Sequence, residues 1–251
     1  MSKFSLSLGN FLYRRCFPLY NIIYRFFKLR QDKREISIMQ AHIKPGDTVL
    51  DVGANIGFYT AILSRLVGNE GKIFAFEPDR TNFKHLTANC GNLKNTTLLE
   101  RALSSETGAL KIYKSSLLNV DHRTYPVDEY ESIEEIQCVS ADDFFTDGQH
   151  VDFIKIDIQG YEVSAFKGMG RILRESPDLK ILSEFWPYGL KKAGETPMSL
   201  LSIFWDAGLS VYFVAPNGFE LMTPENLYLY NNEGFSAYMN IFVTRNNLSN
   251  G

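Results

Sequence analysis

The stretch Val49 to Thr60, VLDVGANIGFYT, carries the residue types that let a nucleotide approach the main chain. An apolar run ends on Asp51, glycines follow at Gly53 and Gly57, and apolar helix formers come next. Glycines between a strand and a helix allow a close backbone approach, and the helix N-terminus supplies free N–H groups. The acid decides which ligand fits. A pyrophosphate loop uses GxGxxG, or GxxxxGK with its lysine. Here the spacing is Asp51-x-Gly53-x-Asn55-x-Gly57, with no Lys or Arg between Asp51 and Thr60. A carboxylate repels a pyrophosphate and attracts a cation, more strongly where water is partly excluded. S-adenosylmethionine, with a sulfonium, an ammonium, a ribose and no phosphate, matches that environment. Glu77, 26 residues beyond Asp51 at the end of a second apolar run, is placed to accept hydrogen bonds from both ribose hydroxyls. Nicotinamide enzymes use an acid in the same way. A nicotinamide-dependent oxidoreductase is therefore the alternative reading, and Asp51 with Glu77 and a phosphate-free loop favours S-adenosylmethionine over it.

These residues need strands and helices to hold them. From Gly46 onward, strand-like runs (TVLDV, KIFAFE, TTLLE, VDFIKIDI, LKILSEF, LSVYFV, AYMNIFVT) alternate with helical patterns (FYTAILSRLV, RTNFKHLTANC, YEVSAFKGMGRIL, MSLLSIFWDAG). Such alternation predicts an α/β fold with a mostly parallel sheet and helices on both faces. VLDV and FIKIDI are apolar up to a terminal acid, as in strands buried on both faces. Ligands of these sheets bind beyond the carboxyl ends of the strands. Asp51, Glu77 and Asp157 all fall at such ends and are expected around one crevice. Ser115 to Glu135 and Pro216 to Ser236 read as polar and irregular.

The chain has 251 residues, 45% of them apolar, so a substantial core can form. Its three cysteines are far apart and lack a zinc-type spacing, which suits a reducing, cytoplasmic setting. Net charge is −3 but uneven. Residues 1–34 hold eight Lys/Arg against Asp32, or +7, and the remainder holds 18 basic against 28 acidic side chains, or −10. An acidic body argues against nucleic acid as partner. We divide the chain into a basic aromatic helical arm, 1–42, and a catalytic domain, 43–251. Within the arm, Leu19, Ile22, Ile23 and Phe26 share one helical face, and Asn21, Arg25, Lys28 and Asp32 the opposite one. No uncharged apolar run reaches the ~18 residues of a spanning helix. Two roles fit: an interfacial helix on the inner face of an anionic membrane, or, the preferred expectation, a helix that lays its apolar face over the domain.

In combination, VLDVGANIGFYT, FAFEPD and VDFIKIDIQGYEVSAFKGM resemble the FkbM-type S-adenosylmethionine-dependent methyltransferases, from about Ile43 to Phe185 and more weakly to the end. The resemblance implies a class I methyltransferase, Rossmann-like, with a seven-stranded sheet whose last strand, AYMNIFVT, is antiparallel. It implies O-methylation of a hydroxyl on a sugar, glycan, glycolipid or natural product. Asp51, Gly53, Ala54, Asn55 and Gly57 match the cofactor loop, Glu77 with Pro78 the ribose segment, and Ala102 and Leu103 the segment passing the adenine. Asp157 falls beside the methyl donor, Gln159 replaces a Glu common in the family, and Glu162 is retained. One branch also carries a DHR triplet and an EFWP-like run, here Asp121-His122-Arg123 and Glu184-Phe185-Trp186-Pro187.

Methyl transfer from a sulfonium is an in-line displacement, so placement of the acceptor oxygen, which is capable of supplying on the order of 7–11 kcal/mol, outweighs a general base at about 10²–10⁴-fold. His122 is the expected base because an imidazole titrates near neutrality. Asp121 would orient it, Arg123 would hold the acceptor, and Asp157 is the rival base. Glu184 and Trp186 join Arg123 as expected acceptor contacts. A Mg²⁺ site on Asp157, Glu184 and Asp121 is weighed against the absence of a dense carboxylate triad, and no obligatory metal is expected. A scaffold that keeps the cofactor pocket without chemistry is the remaining alternative. The sequence leaves the oligomeric state open.

Overall fold

The computed structural model describes residues 9, 11–13, 15–114, 130, 132–231, 234, 237–246 and 248. The expected elements form. Helices α1 (Phe17–Gln31) and α2 (Lys33–His42) precede β1 (Thr48–Val52), α3 (Phe58–Val67), β2 (Lys72–Phe76), α4 (Arg80–Cys90), β3 (Thr96–Leu99) and β4 (Ala102–Leu103). Next come β5 (Gly108–Lys114), β6 (Ser132–Val139), α5 (Ala141–Phe144), β7 (Phe153–Ile156), α6 (Glu162–Lys167) and α7 (Gly170–Glu175). The chain closes with β8 (Lys180–Phe185), α8 (Pro187–Lys192), α9 (Pro197–Asp206), β9 (Ser210–Ala215), β10 (Gly218–Met222) and β11 (Met239–Thr244).

The main sheet runs β10-β9-β11-β8-β7-β1-β2-β3. Its β1, β2, β3, β7 and β8 pair in parallel, and β11 lies antiparallel between β8 and β9. The sheet has eight strands rather than the expected seven. The extra one, β10, pairs antiparallel with β9 inside the segment read as irregular. Pro216 and Asn217 form the turn between the paired Ala215 and Gly218, and β10 is an edge strand on which only Met222 is buried, so its sequence lacks a core-strand pattern. A second sheet, β4-β6-β5, also departs from expectation. Its β6 begins at Ser132, within the other segment read as irregular; Ile133, Glu134 and Glu135 are exposed in succession there, so the sequence lacks the alternation of a half-buried strand.

The pattern YEVSAFKGMGRIL is divided between α6 and α7. Gly168 packs so closely on the β4 loop that a Cβ there would lie 2.0 Å from the carbonyl oxygen of Ser104. The Gly168 carbonyl accepts bonds from the Asp142 N–H and the Ser140 hydroxyl, fixing the break.

Core packing occupies both sheet faces. Leu50, Val52, Ile154 and Ile156 pack on one side with Phe166, Leu201 and Phe204. On the other, Val49, Phe153, Leu182 and Phe242 pack with Met39 and Leu63. The arm reverses the preferred expectation. It packs through tyrosines and polar residues: Tyr13 donates to Asn82 at 2.6 Å, Asn21 to Asn89 at 2.9 Å, and Tyr24 meets Phe58 edge-on. Leu19, Ile22, Ile23 and Phe26 face solvent. A tyrosine satisfies both an apolar contact and a buried acceptor, so the Tyr13–Tyr20–Tyr24 edge docks against α3 and α4, which carry polar groups as well as rings.

Candidate active site

Backbone conformation at the β1–α3 junction explains its glycines. Gly53 has φ +79, and a Cβ there would lie 2.1 Å from the Asp157 carbonyl oxygen. Gly57, the N-cap of α3, has φ +86 and sits against Cys90 and Leu86. Asn55, at φ +52, is a non-glycine in the left-handed region. Such strain collects where a loop is shaped for a ligand.

Gly53 and Asn55 line a cleft together with Glu77, Pro78, Ala102, Leu103, Asp157 and Gln159. Ala54 is buried in the same turn, against the core. Glu77 is held from two directions: one carboxylate oxygen accepts from the Asn55 N–H at 2.8 Å, the other from the Asp79 N–H at 2.9 Å. Burial pushes its carboxyl up to about 7, against the lowering effect of those two N–H groups. Asp79 beside it caps α4 and pairs with Lys114 at 2.9 Å.

Asp51 does not line the cleft. Its buried carboxylate accepts from the Thr60 hydroxyl at 2.6 Å, and β1 pairs with β7 so that Asp51 lies opposite Lys155. Burial raises its pKa and Lys155 opposes that rise, so the charge near Asp51 is the chain's own lysine. Sequence reasoning assigned that role to the cofactor because it had no register between the two strands.

The β7–α6 loop supplies the rest. Glu162, buried, accepts from the N–H groups of Ile158 at 3.0 Å and Gly160 at 3.3 Å, and burial lifts its carboxyl to about 7. This clamp holds Gln159 at φ +58. From there the Gln159 amide donates to Asp157 at 3.0 Å and to Glu184 at 3.3 Å. Glu184 is raised well above the usual carboxylate range by burial and then by Asp157 and Glu162.

Asp157 also lines a second cleft, of about 250 Å³, on the opposite side. The alternation of strand side chains places Lys155 of β7, Leu182 and Glu184 of β8, and Asn240 of β11 on one sheet face, with Asp157 just beyond the end of β7. Lys28, Asp32 and Glu35 of the arm and Tyr59 of α3 close it. Lys155 Nζ lies 3.9 Å from Asp157 and 4.7 Å above the Tyr59 ring. Tyr59 donates to Asp32, and Asn240 donates to Glu35 at 2.6 Å. The sequence does not single out Lys155, Tyr59, Asn240 or Glu35, and it places Lys28 and Asp32 only on the polar face of the arm. One signal was present: a lysine inside the buried run FIKI needs a partner or a task.

Of the expected acceptor contacts, Glu184 lines the second cleft. Trp186 is 4% exposed and lines neither cleft. It caps α8 and packs on Gly189, where a Cβ would lie 2.2 Å from its ring. Asp121, His122 and Arg123 lie outside the described residues. Among the described residues no group of three His, Cys, Asp or Glu side chains is arranged to hold a metal.

The first cleft fits S-adenosylmethionine. Glu77 offers two pinned carboxylate oxygens at the strand end where a ribose lies in this architecture. The Asn55 side-chain oxygen is buried without a hydrogen-bond partner among the described residues. Ala102, Leu103 and Ile112 give an apolar wall for a base, and among the described residues no Lys or Arg lines the cleft to neutralise a phosphate.

Comparison with known proteins agrees. The chain is 29% identical over 156 residues to the hexuronic acid methyltransferase AglP of Haloferax volcanii, covering 61% of this chain and 62% of that protein. It thus spans about three-fifths of that relative's length. Among solved structures, a Clostridium thermocellum protein assigned as an rRNA methylase superposes with TM-score 0.54 at 14% identity, over 84% of this chain and 93% of that one. A Streptococcus mutans methyltransferase-like protein in complex with SAH gives 0.50 at 10% identity, over 84% and 96%. These two likenesses establish the fold. The methyltransferase FkbM domain profile matches residues 51–204, more than half of the chain and including the β1–α3 loop, Glu77, Asp157 and Glu184, and the chain belongs to the FkbM methyltransferase family.

Proposed function

We propose that this chain is an S-adenosylmethionine-dependent methyltransferase acting on a hydroxyl of a sugar or glycan, with hexuronic acids the first acceptor class to test. One observation carries the reading: Asp157 lines both clefts, so a cofactor in the first and an acceptor in the second would meet at its carboxylate. When bound, the cofactor supplies an electrophilic methyl group on a positively charged sulfur. The second cleft is lined by carboxylates, two amides, two phenols and two lysines, a surface suited to a hydroxyl-rich acceptor. Lys28, paired with Asp32, and Lys155, beside Asp157, are the cations that an acceptor's carboxylate would meet in that cleft, and the name of the Haloferax relative makes such an acceptor the first to test.

Asp157 is the described group positioned to take the hydroxyl proton as the new carbon–oxygen bond forms. Gln159 orients it by donating to one oxygen, and Lys155 approaches the other. His122 remains the alternative base, with Asp121 orienting it and Arg123 holding the acceptor. Membership of a methyltransferase family removes the nicotinamide reading, and the non-catalytic scaffold remains as the competitor.

The test is transfer of labelled methyl from S-adenosylmethionine to glucuronic and galacturonic acid glycosides, beside their neutral counterparts. Transfer to the acids above the neutral sugars supports both the reaction and the acceptor class. Tight S-adenosylhomocysteine binding with no transfer to acids, neutral sugars or glycolipid extracts would leave the scaffold.

A further inference from the structure

The face of α1 turned away from the domain bears Leu19, Ile22, Ile23, Phe26, Phe27 and Leu29. All six are exposed, Ile22 by 67% and Phe26 by 60%. Single exposed apolar residues are ordinary, but six on one surface of a 15-residue helix form a continuous patch. Arg15, Arg30 and Lys33 are exposed beside it, and Arg30 lies 4.5 Å over the Phe26 ring. The other edge of the helix is already committed to the domain through Asn21, Tyr24 and Lys28.

We propose that this face of α1 seats the protein on a lipid bilayer bearing anionic headgroups. The charge distribution selects that occupant. Residues 1–34 carry +7 while the rest of the chain carries −10, so an anionic surface attracts the arm and turns the body away. A second copy of the chain docking arm to arm would set +7 against +7. A nucleic acid would take the charge and leave six apolar side chains in water. The helix lies on the surface rather than through it: no helix among the described residues is long and apolar enough to cross a membrane. An amphipathic helix with basic flanks sinks its apolar side to the headgroup–acyl boundary. The same helix presents Lys28 and Asp32 to the second cleft, so a seated protein holds that cleft within about one helix diameter, ~10–12 Å, of the headgroups. If that cleft takes the acceptor, as proposed above, an acceptor carried on a lipid reaches it without leaving the membrane. That consequence rests on the acceptor reading; binding of the bilayer does not.

The experiment is flotation of the full chain with phosphatidylcholine vesicles, with and without phosphatidylglycerol. The chain is expected to float with the phosphatidylglycerol vesicles and to be released by high salt, which screens the basic flank. A triple variant, I22N/I23N/F26N, is expected to lose at least tenfold in partitioning, because each side chain forfeits an apolar burial worth about that factor or more. R15Q/R30Q/K33Q is expected to lose the preference for phosphatidylglycerol. S-adenosylhomocysteine affinity, unchanged in both variants, reports that the domain is folded and separates this inference from the methyl-transfer reading. In a second measurement, F26W fluorescence is expected to be quenched by brominated lipid, beyond any quenching in the parent chain. The inference is overturned if the parent chain stays with the soluble fraction, if the apolar triple floats equally well, or if F26W is not quenched. Arm-dependent self-association without vesicle binding would assign the face to a second copy instead.

Discussion

Cofactor affinity should fall steeply on mild acidification, and Glu77 is the reason. In the ligand-free chain burial raises its carboxyl to about 7, even though the Asn55 and Asp79 N–H groups favour the ionised form. Ribose hydroxyls donate, so they bind the carboxylate and not the acid. Apparent affinity therefore scales with the ionised fraction: about one half at pH 7, about one tenth at pH 6 and about one hundredth at pH 5. The sign for stability runs the other way. A carboxyl whose folded pKa lies above its ordinary value favours the ligand-free fold below that ordinary value, and this contribution is lost as pH rises toward about 7. The stabilisation of the chain by S-adenosylhomocysteine should accordingly grow over that same interval. Calorimetric titration with S-adenosylhomocysteine between pH 5.5 and 7.5 measures the slope directly, below the range where the ligand's own ammonium titrates. E77Q should bind more weakly at pH 7.5 by roughly 10- to 100-fold, the worth of hydrogen bonds to a charged acceptor at about 1.5–3 kcal/mol, and should flatten the slope. An affinity independent of pH across this interval, or an unchanged slope in E77Q, would refute the assignment of the ribose to Glu77.

The remaining predictions concern the loop and the lysine. D157N should bind S-adenosylhomocysteine normally and lose about 10²–10⁴-fold in methyl transfer; if H122A loses that much and D157N does not, the base is His122. G53A should abolish cofactor binding and lower the melting temperature, since its Cβ would lie 2.1 Å from the Asp157 carbonyl at φ +79. E162A should strip the acceptor from the Ile158 and Gly160 N–H groups, costing about 1–3 kcal/mol in denaturant titration. K155M should destabilise the chain at pH 7 more than at pH 5, because Asp51 and Glu184, both raised by burial, lose their neighbouring cation and are relieved by protonation.

The main sheet was legible because strands buried on both faces write themselves as apolar runs, and VLDV and FIKIDI did so. The cofactor loop was legible for a local reason: Gly53, Asn55 and Gly57 are fixed by backbone conformation, and conformation follows residue type over a few positions. Edge elements were harder. Strands β10 and β6 are half exposed, so their sequences resemble loops, and nothing local distinguishes an edge strand from a polar connection. The second cleft was hidden for a different reason. Lys155, Glu184, Asn240, Tyr59 and Lys28 span most of the chain and meet only through the register β1-β7-β8-β11 and the docking of α1. Composition and spacing carry no register. The same gap misassigned Asp51, whose cationic neighbour sits across a strand pair and not across a ligand pocket.

The arm shows where periodicity stops informing. A 3.6-residue period separates Leu19, Ile22, Ile23 and Phe26 from Asn21, Arg25, Lys28 and Asp32, and both the sequence and the structure contain that division. Periodicity does not say which side meets the protein. The usual rule sends the apolar side inward because water is the alternative. Here the inward side is built from Tyr13, Tyr20 and Tyr24, whose rings supply apolar area and whose burial holds their hydroxyls protonated, well above the usual phenol range. A protonated phenol can donate to Asn82, as Tyr13 does, which an aliphatic side chain cannot. Turning the arm to bury Leu19, Ile22 and Phe26 instead would take the donors from the side-chain oxygens of Asn82 and Asn89, at about 1–3 kcal/mol for each oxygen left unsatisfied. It would also pull Lys28 and Asp32 out of the second cleft. The domain therefore selects the aromatic edge and leaves the aliphatic face exposed.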